Sequence, residues 1–319
     1  MRRFPRCRHR LCRPSQSLGK LGLSSLTAIV GPTASGKSAV ALELARRTGA
    51  EIVSVDSMQV YRGMDVGTAK PTVLERREVR HHMVDIVEPD VDYSVSEFSE
   101  TGRRILDGSN IPLIIVGGSG LHFRSLVDPM SFAPTDPEVR SRLEEIALDS
   151  LRAELESIDA SAVNHVDLHN KRRVVRALEV YHLGGGTPSE RAMTGEAQRL
   201  RRYDGDYEFR AFGLDPAEMS EKLIAGRLER MVEGGLVDEV KALAQRLGRT
   251  ARAAVGYREI LDALGGKWSM ERAFDEIARN TRKLARRQRT WFQRDPRVQW
   301  IPWSSDPIQM CHRIEGELK

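Results

Sequence analysis

The chain has 319 residues, 40% of them apolar and 30% charged, which suits a globular protein of one large or two modest domains. The net charge is +5, but residues 1–20 carry +7, so residues 21–319 sum to −2. Three cysteines are too few for a disulfide framework and indicate a reducing compartment. No apolar run approaches the roughly 18 residues of a membrane span. We therefore predict a cytoplasmic protein and exclude a membrane protein.

The basic start of the chain does not resemble the rest. Residues 1–24 are rich in arginine and contain no acidic side chain, which predicts a disordered extension. A targeting segment, a nucleic-acid-binding arm and a mis-assigned start are the alternatives.

After this extension, short apolar runs alternate with segments of helical periodicity. Strands are predicted at residues 26–30, 51–55, 83–87 and 111–116, with a helix at 38–47 between the first two. Strands joined through helices pair in parallel with right-handed crossovers. The pattern predicts an α/β fold, an open parallel sheet with helices on both faces.

The pattern changes at residue 135. Helices are predicted at 137–148, 151–158 and 171–182, a polar connector at 198–206, and no strand before 208–213. Residues 135–203 are therefore predicted to form an all-helical insertion domain in an α/β core made of residues 25–134 and 204–310. The second part of the core adds helices at 219–233, 237–247, 257–264 and 270–292.

Residues 31–38 read GPTASGKS, a complete match to the P-loop pattern G-x-x-x-x-G-K-[ST]. The match follows a predicted strand and opens a predicted helix, so backbone N–H groups and the helix N-terminus can bind phosphate oxygens. Lys37 adds a positive charge, and the Ser38 hydroxyl is suited to coordinate Mg²⁺. The predicted phosphate-binding residues are Gly31, Pro32, Thr33, Ala34, Ser35, Gly36, Lys37 and Ser38.

One acidic residue is expected beside the P-loop. Nucleotide-hydrolysing P-loop enzymes usually have an acid after a second strand, but the most apolar strand here runs into GGSG at 117–120. Asp56 instead follows the strand after the P-loop helix, at the sheet edge that also carries the P-loop. It could accept a proton from an acceptor substrate, or it could cap the turn that it forms with Ser57.

Beyond the P-loop, the chain resembles the tRNA dimethylallyltransferases, also called tRNA isopentenyltransferases. The most specific segment is SVDSMQVYRGMDVGTAKP at 54–71, and the resemblance extends in order over residues 26–302 through HHMVD, VGGSGL, RALEV and VGYR. It implies a P-loop NTPase-like fold and transfer of a dimethylallyl group from its diphosphate to N6 of adenosine 37. The implied tRNAs read codons that begin with U, diphosphate is released, and ATP is not consumed.

The resemblance also implies roles for individual residues. Asp56 would be the general base on the adenine amine, with Thr33 and Arg227 as further catalytic residues at the departing diphosphate. Thr33, Lys37 and Ser38 would bind the diphosphate and Mg²⁺. Ser119 and His122 stand where many members have Thr and Tyr. The implied tRNA contacts are Asp56, Ser57, Met58, Gln59, Ser119, Arg140, Arg172, Arg173, Arg176, Gly256, Tyr257 and Arg258.

Two basic stretches suit the phosphates of a nucleic acid. One covers residues 171–176, and the other lies on the last long predicted helix, where residues 278–294 contain no acid. A solvated face is the alternative, but bases without acidic neighbours cannot form i,i+4 ion pairs among themselves. The second stretch comprises Arg279, Arg282, Lys283, Arg286, Arg287, Arg289 and Arg294. From residue type alone, Tyr61, Tyr257 and Arg258 are further candidates for tRNA contact.

We therefore predict an Mg²⁺-dependent enzyme that acts as a monomer on the tRNA anticodon stem-loop and dimethylallyl diphosphate. Three alternatives remain. A P-loop kinase would turn over ATP without tRNA, and a transferase on free adenine nucleotides would need no basic helix. An RNA-binding module would bind tRNA and form no product.

Overall fold

The computed structural model describes residues 26–318 and contains one parallel sheet of six strands in the order β3-β2-β4-β1-β5-β6. The predicted extension at residues 1–24 lies outside the described residues. None of the described helices is long and apolar enough to cross a membrane. The strands are β1 (Leu26–Val30), β2 (Glu51–Ser54), β3 (His81–His82), β4 (Leu113–Gly117), β5 (Arg210–Gly213) and β6 (Val298–Trp300).

Fifteen α-helices connect and cover these strands in the described part of the chain. They are α1 (Lys37–Thr48), α2 (Val73–Glu78), α3 (Val95–Gly108), α4 (Gly120–Val127), α5 (Pro137–Glu145), α6 (Leu148–Ile158), α7 (Lys171–His182), α8 (Pro188–Ala192), α9 (Gly195–Arg201), α10 (Ser220–Glu233), α11 (Leu236–Leu243), α12 (Arg249–Arg252), α13 (Tyr257–Leu264), α14 (Met270–Gln293) and α15 (Pro307–Leu318).

Alternate residues of the strands point into two separate cores. Ala28 of β1 and Ile115 of β4 join the core covered by α3, α4, α11, α13 and α14. Their neighbours Ile29 and Ile114 join the core covered by α1 and α15. The period of two in a strand therefore gives the sheet two apolar faces. The predicted α/β fold with helices on both faces is confirmed.

The third strand lies earlier than predicted. The prediction at residues 83–87 is wrong, because β3 covers only His81–His82. Met83 and Asp85 have φ values of 63° and 55°, which belong to the left-handed region and interrupt an extended strand. The side chain of Asp85 is held there by Lys70, whose Nζ donates to it at 2.7 Å. No predicted element corresponds to helices α2, α3, α4, α8, α9, α12 and α15 or to strand β6.

Helices α5, α6 and α7 enclose an apolar cluster of their own, which includes the fully buried Leu151, Leu155 and Leu178. Helix α7 has the predicted bounds. The predicted helix at 137–148 divides at Ile146, which ends α5 in an extended conformation. Part of the predicted polar connector is helical, since α9 continues to Arg201. The limits of the insertion domain stay a prediction.

Candidate functional site

A cavity of about 840 Å³ opens where β1, β2 and β4 end. Strand β1 leads into the P-loop, β2 leads to Asp56, and β4 leads into the Gly117–Gly120 turn, and all three segments line the cavity. Helix α10 and the inner side of α14 supply the opposite wall. The carboxyl ends of the parallel strands thus bring together residues that are far apart in the sequence.

The P-loop has the backbone conformation that an anion site requires. Gly31 has a φ of 137°, and a Cβ at this position would lie 2.2 Å from the carbonyl oxygen of Leu214. Gly36 is the N-cap of α1 with a φ of 84°, so it has no side chain to accept from the first-turn N–H groups. Because that first turn also contains no acidic residue, its N–H groups suit a phosphate.

Lys37 is buried and folds back on its own loop. Its Nζ donates to the carbonyl oxygen of Pro32 and to Oγ of Ser35, the latter at 3.3 Å. Burial lowers the pKa of Lys37 to about 7, and repulsion from Arg227 adds to this shift. Attraction by Asp56 opposes it. An incoming anion will therefore favour the charged form of this side chain.

Asp56 lines the cavity and also stabilises its own turn. Its Oδ1 accepts the backbone N–H of Met58 at 2.8 Å, so the turn-capping alternative describes one of its two oxygens. Within residues 26–318, no group donates to the other oxygen. A carboxylate held at one oxygen and open at the other is suited to accept a proton.

Arg227 projects from α10 into the same cavity. Burial lowers its pKa, while attraction by Asp56 opposes this and repulsion from Arg230 adds to it. Its Nη2 lies 3.5 Å from the carbonyl oxygen of Thr68. The cavity therefore holds one carboxylate beside two partly desolvated cations, Lys37 and Arg227.

The segment at 54–71 is mainly a scaffold for Asp56. Gln59 is buried, accepts from Oγ of Ser54 at 2.8 Å and donates to the carbonyl oxygens of Thr68 and Ala69, each at 3.3 Å. Lys70 is also buried; it donates to the carbonyl oxygen of Tyr61 at 2.8 Å and is paired with Asp65 and Asp85. These bonds link residues within the segment to one another and hold the backbone that follows Asp56 in a fixed conformation.

Glu239 of α11 is a site-supporting residue that the sequence patterns did not indicate. Its carboxylate accepts the backbone N–H groups of Asp65, Val66 and Gly67 at 2.8, 2.7 and 3.0 Å, and the hydroxyl of Tyr257. Burial and the neighbouring Glu239 carboxylate raise the pKa of Tyr257. No local pattern indicates Glu239, because the three backbone N–H groups lie more than 170 positions earlier in the chain and Tyr257 lies 18 positions later.

The implied tRNA contacts lie in different environments. Ser57, Met58, Gln59, Ser119 and Gly256 line the cavity. Tyr61 and Tyr257 are fully buried in this structure, and their contact with tRNA stays a prediction. Arg172 is exposed. Arg173 is also exposed and is paired with Asp167. The Arg258 side chain is half exposed and is paired with Glu259.

Arg140 and Arg176 are engaged within the protein. Both contact the fully buried Glu179 at 2.8 Å, which joins α5 to α7. Burial alone would raise the pKa of Glu179, but the bonds from Arg140 and Arg176 outweigh it and lower the pKa. These two arginines have a structural role, and their contact with tRNA stays a prediction.

Helix α14 presents a basic face, and one member of it, Arg287, also borders the cavity. Two of its seven bases pair with acids elsewhere in the chain: Arg279 pairs with Glu276 at 2.5 Å and Arg289 pairs with Asp215 at 2.6 Å. Both partners lie outside the acid-free stretch. The following members of the face have no ion-pair partner in the described part of the chain: Arg282, Lys283, Arg286, Arg287 and Arg294.

His122 packs inside the protein beside Ser119. Its Nδ1 lies 2.7 Å from Oγ of Ser119, and its ring meets Phe98 edge-on with 4.6 Å between centroids. Burial, opposed by the negative charge of Asp56, lowers the pKa of His122 to about 4. The ring is therefore neutral near pH 7 and fills the place of a packing side chain.

Comparisons with known proteins agree with this geometry. The profile of the IPP transferase family matches residues 59–295, and that of isopentenyl transferase matches residues 24–87. The chain is 46% identical to the tRNA dimethylallyltransferase of Streptomyces avermitilis, over 86% of this chain and 89% of that protein. It is 42% identical to the enzyme of the same name from Moorella thermoacetica, over 88% and 90%.

Solved structures give the same result. The full-length tRNA isopentenylpyrophosphate transferase from Bacillus halodurans is 34% identical with a TM-score of 0.64, over 92% of this chain and 96% of that chain. A eukaryotic dimethylallyltransferase acting on tRNA, 21% identical with a TM-score of 0.73, shares the fold over 92% of this chain and 79% of its own. The chain therefore belongs to the IPP transferase family, whose curated relatives are tRNA dimethylallyltransferases.

Proposed function

We propose that this protein transfers a dimethylallyl group from dimethylallyl diphosphate to N6 of adenosine 37 in the anticodon stem-loop of tRNAs that read codons beginning with U. It releases diphosphate and acts as a cytoplasmic monomer. One observation carries the proposal: the P-loop, Arg227 and an Asp56 oxygen to which no group within residues 26–318 donates line a single cavity. These are the parts that a diphosphate leaving group and a weakly nucleophilic amine require.

The leaving group is served by the P-loop side of the cavity. As the bond between the allylic carbon and oxygen breaks, negative charge grows on the departing diphosphate. First-turn N–H groups of α1, Lys37 and Arg227 provide fixed positive charge for it, and each such donor is worth about 2.7–4 kcal/mol in comparable sites. The developing allylic cation is stabilised by resonance, so the reaction needs no nucleophile from the protein.

The attacking amine is served by Asp56. The lone pair of the adenine amine is delocalised into the ring, so the amine attacks well only if its proton is removed as the new C–N bond forms. The Asp56 oxygen that is not engaged by Met58 can take that proton. The exposed bases of α14 would bind tRNA phosphates, and an adenine turned out of its loop would enter the cavity.

The residues present also suit Mg²⁺. Mg²⁺ usually takes one or two protein oxygen ligands and completes its shell with water and substrate phosphates. Ser38 lines the cavity with an exposed side chain in the first turn of α1, whereas residues 26–318 contain no cluster of three or more His, Cys, Asp or Glu that could hold a metal by itself. We propose that Ser38 holds Mg²⁺ together with diphosphate oxygens. The bound ion would neutralise part of the leaving-group charge.

The test is an incubation of the protein with dimethylallyl diphosphate, Mg²⁺ and unmodified tRNA, followed by nucleoside analysis of the digest by mass spectrometry. We expect a prenylated adenosine that is absent when adenosine 37 is replaced by guanosine. Product from free adenine nucleotides, or phosphate transfer from ATP to a small acceptor, would support the corresponding alternative instead.

Asp56→Asn isolates the chemical step. We expect tRNA affinity within about twofold of the wild type and turnover lower by about 10²-fold or more, because proton transfer by a positioned group contributes about 10²–10⁴. Asp90→Asn is the matched control, since Asp90 is exposed and lies outside the residues that line the cavity. Unchanged turnover in Asp56→Asn would remove Asp56 from the role of general base.

A further inference from the structure

A side chain of α14 reaches the P-loop and has no role in the mechanism described above. Oε1 of Gln288 accepts the backbone N–H of Thr33 at 2.8 Å, across 255 positions of sequence. Gln288 lines the cavity beside Thr33. The bond therefore fixes the backbone at the residue whose hydroxyl is proposed to meet the diphosphate.

Two glycines of the turn after β4 make room for this contact. A Cβ at position 118 would lie 2.4 Å from Nε2 of Gln288, and a Cβ at position 120 would lie 1.9 Å from Cδ1 of Trp291. Gln288 and Trp291 lie on one side of α14, three residues apart, and cover this turn together. The Gln288 side chain is thus confined between the turn and the P-loop.

The same helix carries the exposed basic face. Arg286 and Arg287 are exposed and have no ion-pair partner within the described residues, and Arg287 also borders the cavity. Gln288 is the next residue along the helix. One rigid element therefore links the surface proposed to bind tRNA phosphates to the backbone of the P-loop.

We propose that Gln288 is a positioning residue that holds Thr33 in the orientation needed for diphosphate departure. The proposal rests on the proposed function and on the role at the departing diphosphate that the family resemblance implies for Thr33. Gln288 acts through Thr33, so its contribution must disappear when Thr33 has no hydroxyl to position.

The test is a double-mutant cycle on kcat/KM for dimethylallyl diphosphate. Gln288→Met keeps a side chain of similar length but removes the strong acceptor, and we expect kcat/KM to fall about tenfold, the scale of one hydrogen bond to a partly buried group. In the Thr33→Ala background the same substitution is expected to lower kcat/KM by less than about threefold. Residues that act as a unit give such non-additive effects.

Two controls separate positioning from general damage. Gln293→Met makes the same chemical change at an exposed position of α14 and should leave kcat/KM and tRNA affinity within about twofold of the wild type. If Gln288→Met fails to fold, Gln288→Asn replaces it, because the shorter amide cannot span the distance to Thr33. Folding is checked by thermal unfolding, and tRNA affinity is expected to stay unchanged.

Equal losses in both backgrounds, or no loss in the wild-type background, would overturn the proposal. Failure of the proposed function looks different, since the unaltered protein would then form no prenylated adenosine at all.

Discussion

Substitutions of Glu239 test how the segment at residues 54–71 is held in place. Its two carboxylate oxygens collect three backbone N–H groups at 2.7–3.0 Å and the hydroxyl of the fully buried Tyr257. Glu239→Ala removes the acceptor from all four donors at once. Glu239→Gln keeps one acceptor oxygen but turns an NH₂ group toward donors.

The magnitude follows from these four bonds. Hydrogen bonds to a charged group contribute about 1.5–3 kcal/mol each, but water can replace the acceptor at the exposed Asp65 and in part at the half-buried Val66 and Gly67. Counting the Tyr257 donor in full and the Val66 and Gly67 donors in part, we expect Glu239→Ala to lower the free energy of unfolding by about 3–5 kcal/mol. Glu239→Gln should lower it by about 1–2 kcal/mol.

The assay is urea unfolding, supported by thermal unfolding. At about 2 °C per kcal/mol for a chain of this size, Tm should fall by about 6–10 °C in Glu239→Ala and about 2–4 °C in Glu239→Gln. Asp238→Ala is the control, because Asp238 is exposed and has only a 3.4 Å contact with Lys241. A change below about 1 kcal/mol in Glu239→Ala would refute the view that Glu239 anchors this segment.

Three further outcomes are expected. Because the pKa of Lys37 lies near 7 and a bound anion favours its charged form, binding of inorganic diphosphate to the wild type should take up more protons than binding to Lys37→Arg, by about 0.9 at pH 8 and about 0.1 at pH 6. Calorimetry in buffers of different ionisation enthalpy measures this, Lys37→Arg serves as the always-charged reference, and an equal difference at both pH values would contradict it. Gly120→Ala should lower the free energy of unfolding by about 1–3 kcal/mol, since its Cβ would lie 1.9 Å from the Trp291 indole of α14. Gly108→Ala is the control and should not lower it, because a Cβ there would meet no atom within 4 Å. Equal effects of the two substitutions in urea unfolding would refute the packing argument. Replacing Arg286 and Arg287 with Gln should reduce the slope of log Kd for tRNA against log salt by about 0.7–0.9 per residue, and an unchanged slope would show that they do not contact phosphate.

The sequence by itself determined the parts of this protein that depend on neighbouring residues. The alternation of apolar runs and helical periodicity predicted the parallel sheet, and GPTASGKS predicted the loop between β1 and α1. The rule that parallel strands end at one edge placed Asp56 beside that loop, where the cavity lies. The first two features are set by backbone preferences over a few consecutive positions, and the third follows from the general geometry of a parallel sheet.

Only the tertiary structure decided which distant groups meet. No local pattern indicates that Glu239 accepts hydrogen bonds from the backbone N–H groups of residues 65–67, or that Gln288 accepts one from the backbone N–H of Thr33. The burial of Tyr257 and the pairing of Arg140 with Glu179 likewise result from packing between elements. The type of a residue determines which hydrogen bonds and ion pairs its side chain can form. Which partner it meets depends on how the helices pack against the sheet.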